Sequence, residues 1–227
     1  MSATTRPAFY ALAPGGWRDY VTLLHPPYTA WHLSYVVLGA TLAPQWRPGI
    51  LGLALAAFFL GMGIGAHALD ELQGRPLQTR IGRRTLFALA VVSLLAAAAI
   101  GVVTALHTNA WLLVFVVAGS FIAVAYNLEL FGGLFHSTLW FALAWGALPV
   151  LATYFAAAET IRAEAVVAAL FAVLLSWTQR VLSTPVRAQR RRDGALAASG
   201  REAELALRLL SAATVALAVA LVLLRVT

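Results

Sequence analysis

A short polar island at residues 65–76, GAHALDELQGRP, interrupts an otherwise apolar stretch that begins near Ile50. On a helix, His67, Asp70 and Glu71 are three and four residues apart, so the imidazole and both carboxylates share one face. Such oxygen and imidazole donors suit a hard divalent cation such as Mg2+ or Mn2+. Because ionisable groups at membrane depth need a partner to offset their cost, we predict that all three are metal ligands and that His67 and Asp70 are catalytic.

The same carboxylates have an alternative, structural role. Arginines follow them closely, at positions 75, 80, 83 and 84. Asp70 and Glu71 could therefore form ion pairs with these arginines at the membrane boundary. The sequence leaves both interpretations open.

The composition is typical of an integral membrane protein. Of the 227 residues, 61% are hydrophobic and 11% charged, and the mean hydropathy is +0.82, values outside the usual range for a soluble domain. The absence of cysteine excludes disulfides and thiolate chemistry. The formal charge of +7 comes from arginine alone. In a membrane protein this excess usually lies in cytoplasmic loops, so nucleic acid is not an expected partner.

Apolar runs long enough to cross about 30 Å of hydrocarbon recur along the chain and predict an all-α polytopic transmembrane bundle. We predict an N-terminal cytoplasmic segment, residues 1–27, and one transmembrane domain, residues 28–227, with about seven membrane helices. The predicted spans are 28–46, 49–71, 85–106, 109–127, 138–157, 164–182 and 205–224. Predicted cytoplasmic loops lie near 72–84, 128–137 and 183–204, and the segment 17–25 is expected to form a short interfacial helix.

The distribution of arginines predicts the orientation. With seven spans, thirteen of the 16 basic residues share a side with the N-terminus, and Arg47, Arg162 and Arg225 lie on the other. The positive-inside rule then predicts a cytoplasmic N-terminus and an extracytoplasmic C-terminus, in a plasma or inner membrane.

The order of features between residues 25 and 182 resembles the UbiA superfamily of intramembrane prenyltransferases. His25 and Pro26, followed by Gly39, are similar to that family's proline-led first helix. The stretch 66–82 resembles its first aspartate-rich motif and the Arg-Pro-Leu segment that follows. The segments YNLELFGG and WGALPVLATYF, within 126–155, are similar to its fourth and fifth helices, most nearly those of the menaquinone-forming branch.

This resemblance implies an enzyme that transfers an isoprenoid from a prenyl diphosphate to a lipophilic or aromatic acceptor. In that family Mg2+ ions hold the diphosphate, and a water-poor cavity open to lipid protects the allylic cation. A tyrosine that contacts diphosphate would correspond to Tyr126, beside Asn127. Guanidinium groups bind phosphate in a bidentate fork, so we add as candidate substrate ligands Arg75, Arg80, Arg180 and Arg187.

The sequence also departs from the family pattern. The first motif there reads Asn-Asp-x-x-Asp-x-x-x-Asp, whereas here Asp70 occupies the middle aspartate position, His67 replaces the first and Gly74 the last. No carboxylate occurs from Ala165 to Arg192, where a second acidic motif belongs, and the family commonly has nine membrane helices.

Two hypotheses about function follow from these departures. A divergent enzyme could use one metal ion and direct arginine ligands. A non-catalytic relative could instead bind an isoprenoid, quinone or carotenoid-like lipid, or serve as a membrane subunit of a larger complex with an unknown partner. A transporter is a third class, but the ionisable residues in mid-helix and the interrupted helices in repeated halves that it would need are not evident.

Overall fold

The computed structural model describes residues 6–227, which are almost entirely helical and contain no strand. The helices are α1 (Trp17–Leu23), α2 (Pro26–Leu42), α3 (Pro48–Gly74), α4 (Arg83–His107), α5 (Leu112–Asn127), α6 (Thr138–Ala158), α7 (Ala163–Asp193) and α8 (Ala198–Val226), with a single turn at Leu130–Gly133.

Local sequence explains where several helices begin and end. Pro26 and Pro48 occupy the first turns of α2 and α3, where the missing N–H is not needed. The Ser137 hydroxyl accepts a hydrogen bond from the Trp140 N–H at the start of α6. Gly194 ends α7 in the left-handed conformation, with φ of 72°.

The chain is an integral membrane protein. Five helices, α3, α4, α6, α7 and α8, are long and apolar enough to cross a membrane. The other two predicted spans correspond to α2, with 17 residues, and α5, with 16. Both are short for a complete crossing, so the count of seven spans stays a prediction.

The predicted connections agree with the structure at one place and differ at another. The segment expected to form a short helix before Pro26 is helix α1, Trp17–Leu23. The loop expected at 183–204 is mostly helical, because α7 continues through Pro185 to Asp193 and α8 begins at Ala198. Proline removes one helix hydrogen bond but did not end this helix, so the sequence-based loop was too long.

Wider π-helical turns interrupt α3 at Phe59–Ala66 and α6 at Leu143–Ala147. In α6, Pro149 follows this turn and has no N–H to donate to the carbonyl of Trp145, four residues earlier. The His32 Nδ1–H of α2 donates to that carbonyl at 2.9 Å. A side chain of one helix therefore satisfies a backbone group that the sequence of another leaves free.

Helix α2 lies at the centre of the bundle, in contact with α6 and α8. Its Trp31 and Tyr35 are completely buried, and they pack with Val150 and Ala172. Gly39 allows the close approach of α2 to α6, because a Cβ at this position would collide with the carbonyl oxygen of Val150.

Side-chain contacts define two opposite ends of the bundle. At one end Arg47 pairs with Glu159 at 3.1 Å, and the Arg225 guanidinium donates to the carbonyls of Thr41 and Ala43. At the other end Glu204 binds both Arg190 and Arg208. This second end also carries the residues described below.

We predict that Gly39→Ala destabilises the bundle, because the added methyl group forces α2 away from α6. Overpacking of this kind costs about 1–3 kcal/mol. Gly52→Ala is the matched control, because no heavy atom lies within 4 Å of a Cβ there and alanine favours a helix by about 1 kcal/mol. Thermal unfolding in detergent should show a lower midpoint for the first variant only. Equal midpoints for the two variants would contradict this account of α2–α6 packing.

Candidate functional site

Glu71 is completely buried and is held by the connection that follows α3. Its Oε1 accepts hydrogen bonds from the Thr79 N–H and hydroxyl, both at 2.8 Å, and its Oε2 accepts one from the Leu77 N–H at 3.0 Å. Both carboxylate oxygens are therefore used within the chain. Glu71 therefore stabilises the connection after α3.

The candidate substrate ligands Arg75 and Arg80 belong to the same connection. Arg75 has a positive φ of 48° and donates to the carbonyls of Thr79 and Ile81 at 2.7 and 3.0 Å. The Arg80 side chain is exposed, and its backbone N–H donates to Asp19 at 2.9 Å. The Arg75 guanidinium is occupied by structural contacts.

Asp70 lies in a different environment, although it is adjacent in sequence. It is half-buried and makes no ion pair or hydrogen bond of normal geometry with any residue from 6 to 227. Arg187, His136 and Arg180 are close enough to act electrostatically on its carboxylate. The expected ion pairs with the arginines at 75–84 are not formed by either carboxylate.

Arg180 and Arg187 lie two turns apart on α7 and are both half-buried. In the described part of the chain neither forms an ion pair. Arg187 acts electrostatically on groups from several elements, including Asp70, His25 and Tyr126. Unpaired guanidinium groups at this depth are suited to an anion, because they carry charge and several donors in a fixed plane.

Seven residues lie near one another at this end of the bundle. We call them the "polar cluster", and they are His25, His67, Asp70, Tyr126, His136, Arg180 and Arg187.

A stacked pair of histidines forms one side of the polar cluster. The His25 and His67 rings lie 4.1 Å apart at an interplanar angle of 17°. His67 Nδ1–H donates to the Gly63 carbonyl at 3.0 Å, which leaves Nε2 as the acceptor in the neutral ring. His25 Nδ1 is bonded to the Tyr10 hydroxyl at 2.7 Å, and its buried Nε2 has no hydrogen-bond partner in the described residues.

His25 has two further unusual properties. Its φ of 47° places a non-glycine residue in the left-handed region, which costs about 1 kcal/mol or more. Burial lowers the pKa of His25 well below 6.5, and the nearby His67 and Arg187 lower it further. The imidazole is therefore neutral near pH 7.

Aromatic rings form the other side of the polar cluster. The Arg180 guanidinium carbon lies 5.6 Å from the Tyr126 ring centroid and 5.4 Å from that of Phe141. Tyr126 stacks on His136 at 4.5 Å and contacts Trp145 at 4.7 Å. The buried Tyr126 hydroxyl makes no hydrogen bond of normal geometry in the described chain, although the Arg180 guanidinium lies close to it. Asn127, the other sequence candidate here, bonds the Ala123 carbonyl of its own helix.

An apolar cavity of about 140 Å³ begins beside these rings, within a cleft of about 940 Å³ that is partly open to the surroundings. Its walls come from α3, α4, α5 and α6. Met62, Ala66 and Trp145 line the cavity and also pack against Tyr126. The cavity therefore ends at the polar cluster.

The donor set does not fit a magnesium site built from His67, Asp70 and Glu71. Both Glu71 oxygens accept hydrogen bonds from the connection after α3, whereas His67 keeps Nε2 available, because its Nδ1–H donates to Gly63. Between residues 6 and 227 no group of three His, Asp or Glu side chains is arranged to hold a metal ion. Of the two predicted carboxylate ligands, Asp70 is the one that accepts no hydrogen bond from the described residues.

Sequence reasoning did not include His25, His136 or Phe141 in the site. Their contacts join positions far apart in the chain, such as 25 with 67, so local spacing carried no signal for them. The one local signal was His25 directly before two prolines, at the start of a membrane helix.

The fold and these residues define an all-helical integral membrane protein with a polar cluster beside an apolar cavity. No family model matches the chain, and no curated protein and no solved structure is significantly similar to it.

We predict that Glu71→Gln destabilises the protein, because in either orientation the amide NH2 would face a backbone N–H, that of Leu77 or that of Thr79, and leave it unsatisfied. Loss of a buried hydrogen bond of this kind costs about 1–3 kcal/mol. Asp70→Asn is the matched control, since no residue from 6 to 227 donates to that carboxylate, and its thermal midpoint should equal that of the wild type. Equal destabilisation by both variants would contradict the different roles of the two carboxylates.

A pH dependence of stability follows from the neutral state of His25. In the unfolded chain a histidine titrates near 6.5, so below this value the unfolded state binds more protons than the folded state. Stability should be complete above this pH and should decrease as the pH falls through and below it. Thermal unfolding between about pH 5 and 8 measures this slope.

The variant His25→Asn should reduce the slope of stability against pH. Asparagine is chosen because it tolerates the left-handed conformation. The exposed His107 at the opposite end provides the control His107→Asn, which should retain the wild-type slope. An unchanged slope in His25→Asn would show that other groups cause the pH dependence.

Proposed function

We propose that this protein is a divergent UbiA-like intramembrane prenyltransferase, which binds a prenyl diphosphate and transfers its isoprenoid to a lipophilic or aromatic acceptor. The observation that carries this proposal is an apolar cavity whose wall packs against Tyr126, over whose ring Arg180 lies; Arg180 and the half-buried Arg187 form no ion pair with residues 6–227. A ligand that fits both the cavity and these arginines must have an apolar chain and an anionic headgroup.

Each part of a prenyl diphosphate has a matching environment. The chain would occupy the cavity between α3, α4, α5 and α6. The diphosphate would bind Arg180 and Arg187, because guanidinium groups form paired hydrogen bonds with phosphate oxygens. The reacting carbon C1 would then lie at the junction, near Tyr126 and Trp145.

The residues at this junction suit the proposed transfer. The bond between C1 and the diphosphate oxygen breaks, and its electron pair leaves with the diphosphate toward the arginines. The faces of Tyr126, Phe141 and Trp145 stabilise positive charge on the allylic group, because aromatic rings attract cations. The acceptor then forms a bond to C1 and loses a proton.

Asp70 and His67 are the candidate bases for that proton. Asp70 is a carboxylate that accepts no hydrogen bond from the described residues, and His67 has an available Nε2 in its neutral form. No step here uses Mg2+, because the residues present do not fit the predicted three-ligand site. When bound, Mg2+ would neutralise diphosphate charge, and of the predicted ligands the Asp70 carboxylate and the His67 Nε2 would be the groups to hold it.

A second candidate is a non-catalytic protein that binds an isoprenoid-type lipid, alone or as a membrane subunit of a complex. Two observations favour this candidate. Both Glu71 oxygens accept hydrogen bonds within the connection after α3, and no carboxylate occurs from Ala165 to Arg192. The two candidates share the ligand site and differ in whether diphosphate is released.

We also propose that the polar cluster faces the cytoplasm, in a plasma or inner membrane. The end of the bundle with Arg190 and Arg208 carries most of the arginines, whereas Arg47, Arg162 and Arg225 belong to the opposite end. The positive-inside rule supports this orientation.

Calorimetric titration of farnesyl and geranylgeranyl diphosphate into the protein in nanodiscs tests the site. We expect saturable binding that Arg187→Gln weakens about 10- to 100-fold, which corresponds to a hydrogen bond to a charged group of about 1.5–3 kcal/mol. Arg191→Gln is the control, because Arg191 is exposed on the same helix. Farnesol and inorganic diphosphate should each bind more weakly than the intact ligand. Equal affinity in both arginine variants would reject the proposed headgroup site.

The same titrations with Mg2+ and with chelator test the metal. Binding that persists in chelator supports direct arginine ligands, whereas binding that requires Mg2+ and is lost in Asp70→Asn would restore a metal mechanism. Release of inorganic diphosphate in the presence of an aromatic acceptor such as a dihydroxynaphthoate separates the transferase from the lipid-binding candidate.

A further inference from the structure

The connection between α5 and α6, residues 128–137, exposes large apolar side chains at the end of the bundle that holds the polar cluster. Phe131 is 67% exposed and Leu134 is 64% exposed. We call residues 128–137 the apolar loop. An aqueous loop normally carries polar residues, so these side chains need an apolar neighbour.

The backbone of the apolar loop holds these residues in an unusual conformation. Glu129 and Phe131 have φ values of 51° and 57°, and Gly132 and Gly133 follow with φ of 67° and 80°. A bulky residue such as Phe131 is rarely found in this region, and the cost is on the order of 1–3 kcal/mol. Some favourable contact of the exposed side chains is expected to offset this strain.

The length of α5 indicates that the exposed side chains of the apolar loop contact lipid. Its 16 residues extend about 24 Å at 1.5 Å per residue, whereas the hydrocarbon core of a bilayer is about 30 Å thick. At the start of α5, Trp111 is 72% exposed, as expected for an aromatic anchor at one membrane boundary. The opposite end of α5 therefore stops short of the other boundary, and the apolar loop continues from there.

The apolar loop also continues the outer face of α5. Exposed Val114, Val117 and Phe121 follow one another along that helix at helical spacing. The Phe121 ring contacts Phe135 at 5.2 Å and Phe131 at 6.3 Å. One apolar surface thus extends from a helix of the transmembrane bundle onto the loop.

We propose that the apolar loop lies within the membrane interface, where Leu130, Phe131 and Leu134 contact lipid and complete the crossing that α5 begins. The occupant of this surface is the bilayer leaflet at the polar-cluster end. The apolar loop is an interfacial anchor in the sense used for aromatic side chains at membrane boundaries.

This placement has a consequence for the polar cluster. His136 belongs to the apolar loop, stacks on Tyr126 and donates through Nδ1 to the Tyr126 carbonyl at 3.0 Å. An anchored loop therefore holds one wall of the polar cluster at the level of the lipid headgroups.

Site-directed spin labelling tests the proposal, and the natural chain needs no cysteine removal because it contains none. Phe131→Cys and Leu134→Cys are labelled separately in the full chain and reconstituted into liposomes of zwitterionic and anionic phospholipid. Collision rates with oxygen and with a water-soluble nickel chelate then report lipid and water exposure. Phe87→Cys, on the exposed face of α4, is the lipid reference, and Gln73→Cys, at an exposed polar position, is the water reference.

We expect the oxygen-to-nickel ratio at both loop positions to exceed that at Gln73 and to approach that at Phe87. A ratio equal to that at Gln73 would overturn the proposal by placing the loop in water. Low accessibility to both reagents would also overturn it, because protein, such as a second copy of the chain, would then cover the loop. Using two positions keeps the test decisive if one variant does not fold, and the result does not depend on prenyl diphosphate binding.

Discussion

A carboxylate buried at a membrane boundary must be matched by hydrogen-bond donors, and the arrangement of the polar end of this protein depends on how Glu71 meets that requirement. Three donors from Leu77 and Thr79 surround it, and this folds the connection after α3 back against the helix end. Arg75 closes the same connection through backbone carbonyls. Because these groups satisfy one another, Asp70 takes no part in this network, and among residues 6–227 it forms no ion pair with the arginines of its own connection.

Histidines have a related role where the helices depart from regular hydrogen bonding. The π-helical turns of α3 and α6 lie on either side of the apolar cavity, and each carries a carbonyl that accepts a histidine Nδ1–H. His67 binds Gly63 within one helix, whereas His32 binds Trp145 across two helices. These bonds determine which ring nitrogen carries the proton. They also link the wall of the cavity to the polar cluster. A change in the packing of the polar cluster would therefore change the shape of the cavity.

The apolar cavity and the polar cluster indicate a type of ligand because they are adjacent. Either feature alone is common in membrane proteins, since helices often pack imperfectly and arginines often line the cytoplasmic boundary. Here Met62, Ala66 and Trp145 belong to both the cavity wall and the packing around Tyr126. A site for an apolar chain next to a site for an anionic group matches an amphiphile, and this is why we favour an isoprenoid ligand over a water-soluble one.

The sequence by itself determined the membrane class, the helical architecture and the approximate positions of the long helices, because hydropathy and length are local properties. It also located the polar island and the two arginines of α7. Only the tertiary structure separated Asp70 from Glu71, since their difference comes from donors at 77 and 79 that spacing on an ideal helix ignores. Likewise, only folding brought His25 beside His67 and His136 beside Tyr126, because contacts between distant segments depend on how helices pack.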